Sequence, residues 1–472
     1  MHWRPGGDEY IGDMIPFFWG DEYHIFYLKR RGGEPYPWCH IKSRDLVEWE
    51  VMPDVVHPSP DPAAPDARGC WTGCVVESGG TFYCFYTGWN PDRPHEGKYP
   101  QTICVATSRD LVEWEKVGDG PILWPDDRWY MPRAWRDPFV FYNEAAGEWW
   151  MVICARDAHA PQPRAGALAL AASPDLERWE VREPLWSGGI CYAPECPDIF
   201  AEAGRWYTVY SHGITRYRVA DGPGGPWLAA APDTLDGPHV RAAKSLSDGR
   251  RRLLFGWVPT REDDSDGGRL QWGGHMAVPR VLVPQADGAL LPAMPEEIAN
   301  EGDKDGERRP LENGELKTLR GRWTIGGGRA EASAPDGVAL ARIDAPQDFT
   351  LSMKLALDGP VADAGFLVRM SEAGDAGWKI GIERSNGRLA LYRWESWGDP
   401  EPMISRPMRI EADESLTVHL ICHGSIAEVF VDGAASLAAR IYSPPEGWLG
   451  IWAANGGARI ADLCLRPLEP LG

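Results

Sequence analysis

The chain lacks several features that would direct its reading elsewhere. No apolar run approaches the ~20 residues that span a bilayer, so no membrane-crossing helix is expected. Positive charge is scarce: 48 Lys and Arg stand against 69 Asp and Glu, a formal net charge of -21. Such a surface repels phosphate backbones and anionic lipid, which argues against nucleic-acid and membrane partners. The opening MHWRPGGDEY has no apolar stretch of the secretory kind, so a cytoplasmic location is expected. The ten cysteines are scattered. Cys70/Cys74 and Cys191/Cys196 lack structural-zinc spacing and have no histidine pair beside them, so they read as reduced thiols. No metal site and no cofactor is expected. The glycine clusters at 222–226 and 325–329 lack the strand–helix context of a phosphate loop and read as turns. Helical periodicity is nearly absent.

What is present is tryptophan and a repeat. The 24 Trp exceed what a generic core needs. Indoles stack on the apolar faces of sugar rings, but they also fill β-rich cores, and packing accounts for most of them. The segment SRDLVEWE begins at 43 and again at 108, and the variant SPDLERWE begins at 173, a constant 65-residue interval. Each copy follows a short β-like run and reads as a turn leading into a further strand. Aromatic and β-branched strands lie between the copies: Tyr23–Leu28, Thr81–Thr87, Trp149–Ala155, Trp206–Ser211 and Leu253–Val258. Five such strands with a blade-like repeat predict a propeller of five four-stranded blades. A double β-sandwich is the structural alternative.

The texture changes after Pro295. Residues 296–316 are charged and poorly apolar, and read as a linker. Beyond them short alternating strands recur: Phe349–Leu357, Gly365–Met370, Trp378–Glu383, Leu389–Trp394, Ser415–Cys422, Ile426–Val431 and Trp448–Ala453. Turns are expected at Asn386-Gly387, Asp432-Gly433 and Asn455-Gly456. The expected fold is therefore all-β, a five-bladed β-propeller (1–295) followed by a C-terminal β-sandwich (317–472).

A propeller gathers residues from distant blades around its central funnel. Three acids stand in apolar surroundings where a solvated face would not put them: Asp13, Asp137 and Glu195. An unpartnered buried carboxylate is costly, so each is expected to have a partner or a task. For any one of them, an acid satisfied by backbone N–H groups at a blade turn is an equal reading. Three in three blades favour chemistry.

These residues and their neighbours resemble glycoside hydrolase family 32, the invertases, inulinases, levanases and related fructosyltransferases. Arg136-Asp137-Pro138 matches the family's RDP motif and Glu195-Cys196 its EC motif. Trp38-Cys39-His40-Ile41 resembles its WGHA segment, Trp71-Thr72-Gly73 stands where it has FSG, and Gln271-Trp272-Gly273-Gly274 through Arg280 resembles its last-blade signature. Glu428-Val429-Phe430-Val431-Asp432-Gly433 is similar to its C-terminal module. The resemblance implies a retaining double displacement on β-fructofuranosides, with Asp13 as nucleophile, Glu195 as acid and base, and Asp137 holding ring hydroxyls. It implies carboxyls about 5–5.5 Å apart, with the acid and the nucleophile in different environments. Arg136 would orient a carboxylate or hydroxyl, and Trp38, His40, Trp71, Thr72, Cys196 and Trp272 are candidate sugar contacts, with His212 a weaker one. The substrate would be a small oligosaccharide or glycoside, taken by hydrolysis or fructosyl transfer.

The chain departs from the family pattern at the first motif, roughly W-M-N-D-P-N-G. Gly12 replaces the Asn before the acid, Met14 the Pro after it, and Leu28 a Gln on the next strand. Both lost amides bind substrate in the family, and a site without them recognises other hydroxyls. Two further readings follow: a furanosidase for another sugar such as an arabinofuranoside, whose inverting form would part the carboxyls by about 6.5–9.5 Å, and a carbohydrate-binding protein without catalysis.

Overall fold

The computed structural model describes residues 1–30, 37–92, 98–301, 309–310, 315–326, 329–394, 401–411 and 414–471. Almost all of its regular structure is β, and its only α-helix among those residues is a single turn, Glu296–Ala299. Blade one is Tyr10–Trp19, Glu22–Arg30, Trp38–Ser43 and Glu50–Val56. Blade two is Cys70–Ser78, Thr81–Trp89, Gln101–Ser108 and Trp114–Lys116, and blade three Tyr130–Asn143, Glu148–Asp157, Gly166–Ser173 and Glu180–Ser187. Each is an antiparallel meander. Blade four has three strands, Glu195–Glu202, Arg205–His212 and Ile214–Ala220, with an irregular outer edge bridged only at Val219–Leu228 and Arg216–Thr234. Blade five joins Arg241–Ser247, Arg252–Arg261, Leu270–Met276, Arg280–Pro284 and Leu290–Ala293. The ring closes where Gly274 pairs with Ile11 and the Met276 N–H donates to the Trp3 carbonyl at 2.8 Å.

The five aromatic strands read from the sequence are the second strand of each blade, flanked on both sides and therefore the most apolar. The repeated octamer is the turn between third and fourth strands. Asp45 accepts the N–H groups of Val47 and Glu48 at 3.0 and 2.9 Å. Asp110 does the same for Val112 and Glu113, and Asp175 for Glu177 and Arg178. The carboxylate replaces a backbone carbonyl as turn acceptor. The following leucine takes a left-handed conformation (φ 65, 65 and 68° at Leu46, Leu111 and Leu176), and its side chain is buried. A leucine rarely adopts that backbone, and burial of its side chain anchors it there, which explains why the octamer recurs as a unit.

The segment expected to be a linker carries the helical turn and a short strand, Arg309–Pro310, paired to the last strand of the chain; 302–308 and 311–314 lie outside the described residues. The C-terminal domain is a two-layer sandwich around one apolar core that includes Phe366, Trp378, Leu420 and Ile451. One strand differs from the sequence expectation and another goes beyond it. Asn455-Gly456 is not a chain reversal: it lies within the 20-residue strand Trp448–Pro467, and Asn455 has φ 57°. Arg329–Ile343 is one strand although it contains Pro335-Asp336-Gly337. Both sites are bulges where a long strand passes from one layer of the sandwich to the other, a use of turn residues that local sequence does not separate from a hairpin. At the cluster 325–329, Gly326 pairs with Arg329 across a hairpin whose tip, 327–328, lies outside the described residues.

The sandwich packs on blades four and five through Ile421, Ile426, Phe430 and Ala438. Polar contacts cross the same interface. Arg280 lies between Asp236 and Glu428, and Arg440 donates to the carbonyls of Val258 and Pro259, each at 3.0 Å. None of the ten cysteines is in a disulfide. No helix among the described residues is long and apolar enough to cross a membrane.

Candidate active site

Every inner strand of the propeller carries a register shift at the funnel: between Ile11 and Met14, Trp71 and Gly73, opposite Val152 and Cys154, between Glu195 and Asp198, and between Arg241 and Lys244. A bulge leaves residues unpaired and re-aims their side chains. In blades three, four and five the bulged residues Asp137, Cys196 and Ala242 adopt left-handed φ of 58, 50 and 47°. These are strained conformations for residues with a Cβ, and strain of that kind clusters at functional sites. The five bulges surround one cavity of about 500 Å³, lined by Asp13, Thr72, Arg136, Asp137, Glu195, Cys196 and Arg241 with Trp71, Trp257 and Trp272. That volume suits a small glycoside.

Asp13 is held from two sides. Thr72 Oγ1 donates to its Oδ2 at 2.7 Å and Trp257 Nε1 to its Oδ1 at 3.2 Å. Burial raises its pKa above the ordinary carboxylate value, and these donors offset part of that shift. Asp137 is 4% exposed and accepts the Cys196 N–H at 2.9 Å. Its own N–H donates to Thr87 Oγ1 at 2.8 Å, and Thr87 donates in turn to the Thr72 carbonyl, which ties blade three to blade two. Burial pushes Asp137 up to about 6, against the pull of Arg136. Glu195 is different: its side chain is 53% exposed toward the funnel, and Arg136 donates to it at 2.7 Å. Arg136 is itself braced by Gln101, whose Oε1 also accepts the Trp135 N–H at 3.0 Å. The two aspartates thus lie deep and the glutamate at the mouth.

The structure brings together Asp13, Asp137, Glu195, Arg136, Trp71, Thr72, Cys196 and Trp272. It does not bring Trp38 or His40 to the cavity. Trp38 is fully buried in the seam of blades one and two, where its Nε1 donates to the Trp71 carbonyl at 2.9 Å. His40 is 1% exposed, stacks on Phe26 at 4.4 Å, and shares a 3.0 Å hydrogen bond with His24. Burial pushes its pKa down to about 3, so it is neutral. Both side chains pack the blade because they sit on its third strand, with the whole second strand between them and the inner one. His212 is exposed, and its neighbours Ser211 and Gly213 line the wall instead.

Sequence reasoning missed Trp257, Gln101, Thr87 and Arg241. Trp257 lay in plain view in an apolar strand, but its direction depends on the register of blade five. The structure also accounts for Gly12. A Cβ there would lie 2.2 Å from the Trp272 ring, so the indole occupies the space that any side chain at 12 would need. Leu28 lines the same cavity as an apolar surface.

A five-bladed propeller with three carboxylates at the bulges of a sugar-sized funnel defines a glycosidase. Residues 14–295 match the glycosyl hydrolases family 32 N-terminal domain and residues 315–466 the family 32 C-terminal domain. The chain belongs to glycosyl hydrolase family 32. It is 27% identical to a sucrose-6-phosphate hydrolase of Escherichia coli over 95% of this chain and 90% of that protein. It is 24% identical to a levanase of Bacillus subtilis over 96% of this chain and 67% of that protein. Its fold superposes on fructan 1-exohydrolase IIa from Cichorium intybus with a TM-score of 0.73 at 18% identity, covering 99% of this chain and 97% of that one.

The burial of Asp137 leads to a test. Its folded pKa, about 6, lies above the ordinary 3.8, so the folded state holds a proton that the unfolded chain releases. Stability therefore falls as pH rises from about 3.8 to about 6, and the ionised form carries the full cost at neutral pH. Asp137→Asn is expected to raise the Tm by a few degrees at pH 7, with the gain fading toward pH 4, while turnover falls about 10²-fold or more. Calorimetry at both pH values with a parallel rate assay checks this; a Tm lowered at pH 7 would show that Asp137 stabilises the ring.

Proposed function

We propose that the protein is a retaining β-fructofuranosidase. Asp13 attacks the anomeric carbon. Glu195 protonates the departing oxygen and then activates water or an acceptor hydroxyl. Asp137 accepts hydrogen bonds from the sugar ring and stabilises its oxocarbenium-like transition state. Trp71 and Trp272 offer apolar faces to the sugar, Thr72 and Cys196 hold the two aspartates, and Arg136 orients Glu195. The observation that carries this reading is the convergence of Asp13, Asp137 and Glu195 on one cavity in a family 32 chain. The depth difference supports the assignment of roles: the part-buried Asp13 faces the ring, and the half-exposed Glu195 can reach a leaving group on its way out. Ten cysteines outside any disulfide support a reducing, cytoplasmic setting.

A second reading, a furanosidase for a different sugar, is favoured by one observation. Gly12, Trp272 and Leu28 leave an apolar wall where the family pattern places two amides. Release of reducing sugar by wild type and Glu195→Gln, from sucrose, short fructo-oligosaccharides and the nitrophenyl furanosides of fructose and arabinose, separates the two. Fructose release that falls by about 10²–10⁴-fold in the variant supports the first. Arabinose release alone supports the second. Binding without turnover of any of them would overturn both.

A further inference from the structure

The two indoles that hold Asp13 stand on neighbouring strands of blade five. Trp257 lies on Arg252–Arg261 and donates to Oδ1 at 3.2 Å; Trp272 lies on Leu270–Met276 and donates to the same carboxylate. Both strands are braced from the other domain. Arg440 ends the sandwich strand Ala435–Arg440, is 3% exposed, and sends its fork into blade five. Its Nη2 donates to the Val258 carbonyl and to His275 Nδ1, each at 3.0 Å, and its Nε donates to the Pro259 carbonyl at 3.0 Å. Val258 follows Trp257 and is paired with His275. Pro259 is paired with Gly274, which also pairs with Ile11, two residues before Asp13. Burial and Arg440 push the His275 pKa down to about 2, so its ring is a neutral acceptor. Successive carbonyls of a regular strand point to opposite sides, so one fork takes both only where the strand is turned. The register shift between Pro259 and Arg261 turns it, and carbonyls freed by a bulge need a donor from elsewhere. The remaining donor, Nη1, goes to Ser425 on the sandwich at 2.8 Å. All four acceptors are uncharged. A buried guanidinium without a carboxylate is costly, and burial pushes the pKa of this one down to about 10.

We propose that Arg440 is a positioning residue for the nucleophile: it pins the bulged strands of blade five from the sandwich domain and so holds the Trp257 and Trp272 indoles against Asp13. The inference rests on the glycosidase reading of this cavity, in which Asp13 must be ionised to attack. The indole donors favour the ionised carboxylate against its burial. Hydrogen bonds weaken steeply as they lengthen or bend, so a small shift of either strand loosens the carboxylate and raises its pKa. Apolar packing through Ile426 and Phe430 joins the domains without Arg440. What the guanidinium adds is the place of two strands, and through them the sandwich acts on the reaction without touching substrate.

Arg440→Met keeps much of the side chain's length and removes the fork. Its kcat on a fructoside that the wild type cleaves is expected to fall about tenfold with KM nearly unchanged. The acid limb of its pH profile is expected to move up by about half a unit or more, because the charge of Asp13 loses stabilisation. Arg440→Lys offers a compact donor in place of a fork and is expected to move the limb the same way by less. If Arg440→Met does not fold, Arg440→Lys carries the test alone. Arg406→Met is the comparison. Arg406 is also a buried sandwich residue, but it donates to the hydroxyl and carbonyl of Thr234 at the outer edge of blade four. Its loss is expected to lower the Tm and leave the limb in place. An unmoved limb in every Arg440 variant that folds, or an equal displacement in Arg406→Met, overturns the proposal. The indole N–H of Trp257, assigned in the nuclear magnetic resonance spectrum by its loss in Trp257→Phe, reports the ionisation of Asp13 with no substrate present. If no fructoside is turned over but this titration has a higher midpoint in the Arg440 variant, the positioning role stands and the fructofuranosidase reading fails. Equal midpoints overturn the positioning role whatever the substrate.

Discussion

Asp13→Ala is expected to lower turnover by about 10⁴-fold or more, and added azide is expected to restore part of it. The carboxylate is held by Thr72 at 2.7 Å and Trp257 at 3.2 Å, with the Cys196 thiol 3.9 Å from the same oxygen as Thr72. Donors on both oxygens aim it and stabilise its charge against burial. If it forms a covalent bond to the sugar, its removal leaves a hole at the reacting face, and a small anion can enter there. The sugar azide then has the configuration opposite to the substrate, because one displacement replaces two. Nuclear magnetic resonance reads both the azide product of the variant and the first product of the wild type. A wild-type product of inverted configuration, with no azide rescue, would make Asp13 a base that activates water and would sink the retaining mechanism. The elevated pKa of Asp13 adds a sign: the nucleophile must be ionised, so turnover falls on the acid side earlier than for an ordinary carboxylate.

Glu428→Ala is expected to destabilise the protein by about 3–5 kcal/mol, the cost of leaving a buried charge without its partner. Glu428 is fully buried between the domains. It pairs with Arg280, accepts the Val278 N–H at 3.0 Å, and takes a 2.9 Å hydrogen bond from His2. Arg280 is 1% exposed and would keep Asp236 as its one carboxylate partner, beside the Val278 carbonyl. Burial pushes the Glu428 carboxyl up, but Arg280 and His2 outweigh it and hold it below its ordinary 4.5. A depressed carboxylate stabilises the fold above the unfolded value and loses that contribution as pH falls through the folded one. The gap between wild type and variant should therefore be widest at neutral pH and narrow below about 4.5. Calorimetry is also expected to divide one unfolding transition into two, since the propeller and sandwich share this network. An unchanged Tm at pH 7 would mean that apolar packing by Phe430 and Ile426 holds the interface alone.

Much of the architecture was legible before any coordinates. The octamer marks blades because its Asp and Ser close a turn by local hydrogen bonds, which any copy repeats wherever it stands. The second strand of each blade was legible because neighbours on both sides demand apolar residues throughout. Fourth strands such as Glu50–Val56 and Trp114–Lys116 were weaker, since an edge exposed to water carries little pattern. The last strand of the sandwich reads from the sequence as the shorter Trp448–Ala453 because Asn455-Gly456 looks alike as a bulge and as a turn, and Arg329–Ile343 carries no strand signal that the sequence reading picked out.

The candidate site divides the same way. Asp13, Asp137 and Glu195 stood out as acids in apolar segments, and the motifs around them carried the family resemblance. Trp38 and His40 belong to those motifs too, yet they pack the blade, and Arg241 belongs to none of them. The sequence by itself determined the blades, the two-domain order and the three carboxylates, because those depend on spacing and turn chemistry within a few dozen residues. Only the tertiary structure decided which side chains share the funnel and that Trp272 occupies the place of a side chain at Gly12. Those relations arise when bulges from five separate blades meet around one axis, and register across a closed ring is not written in any local stretch of the chain.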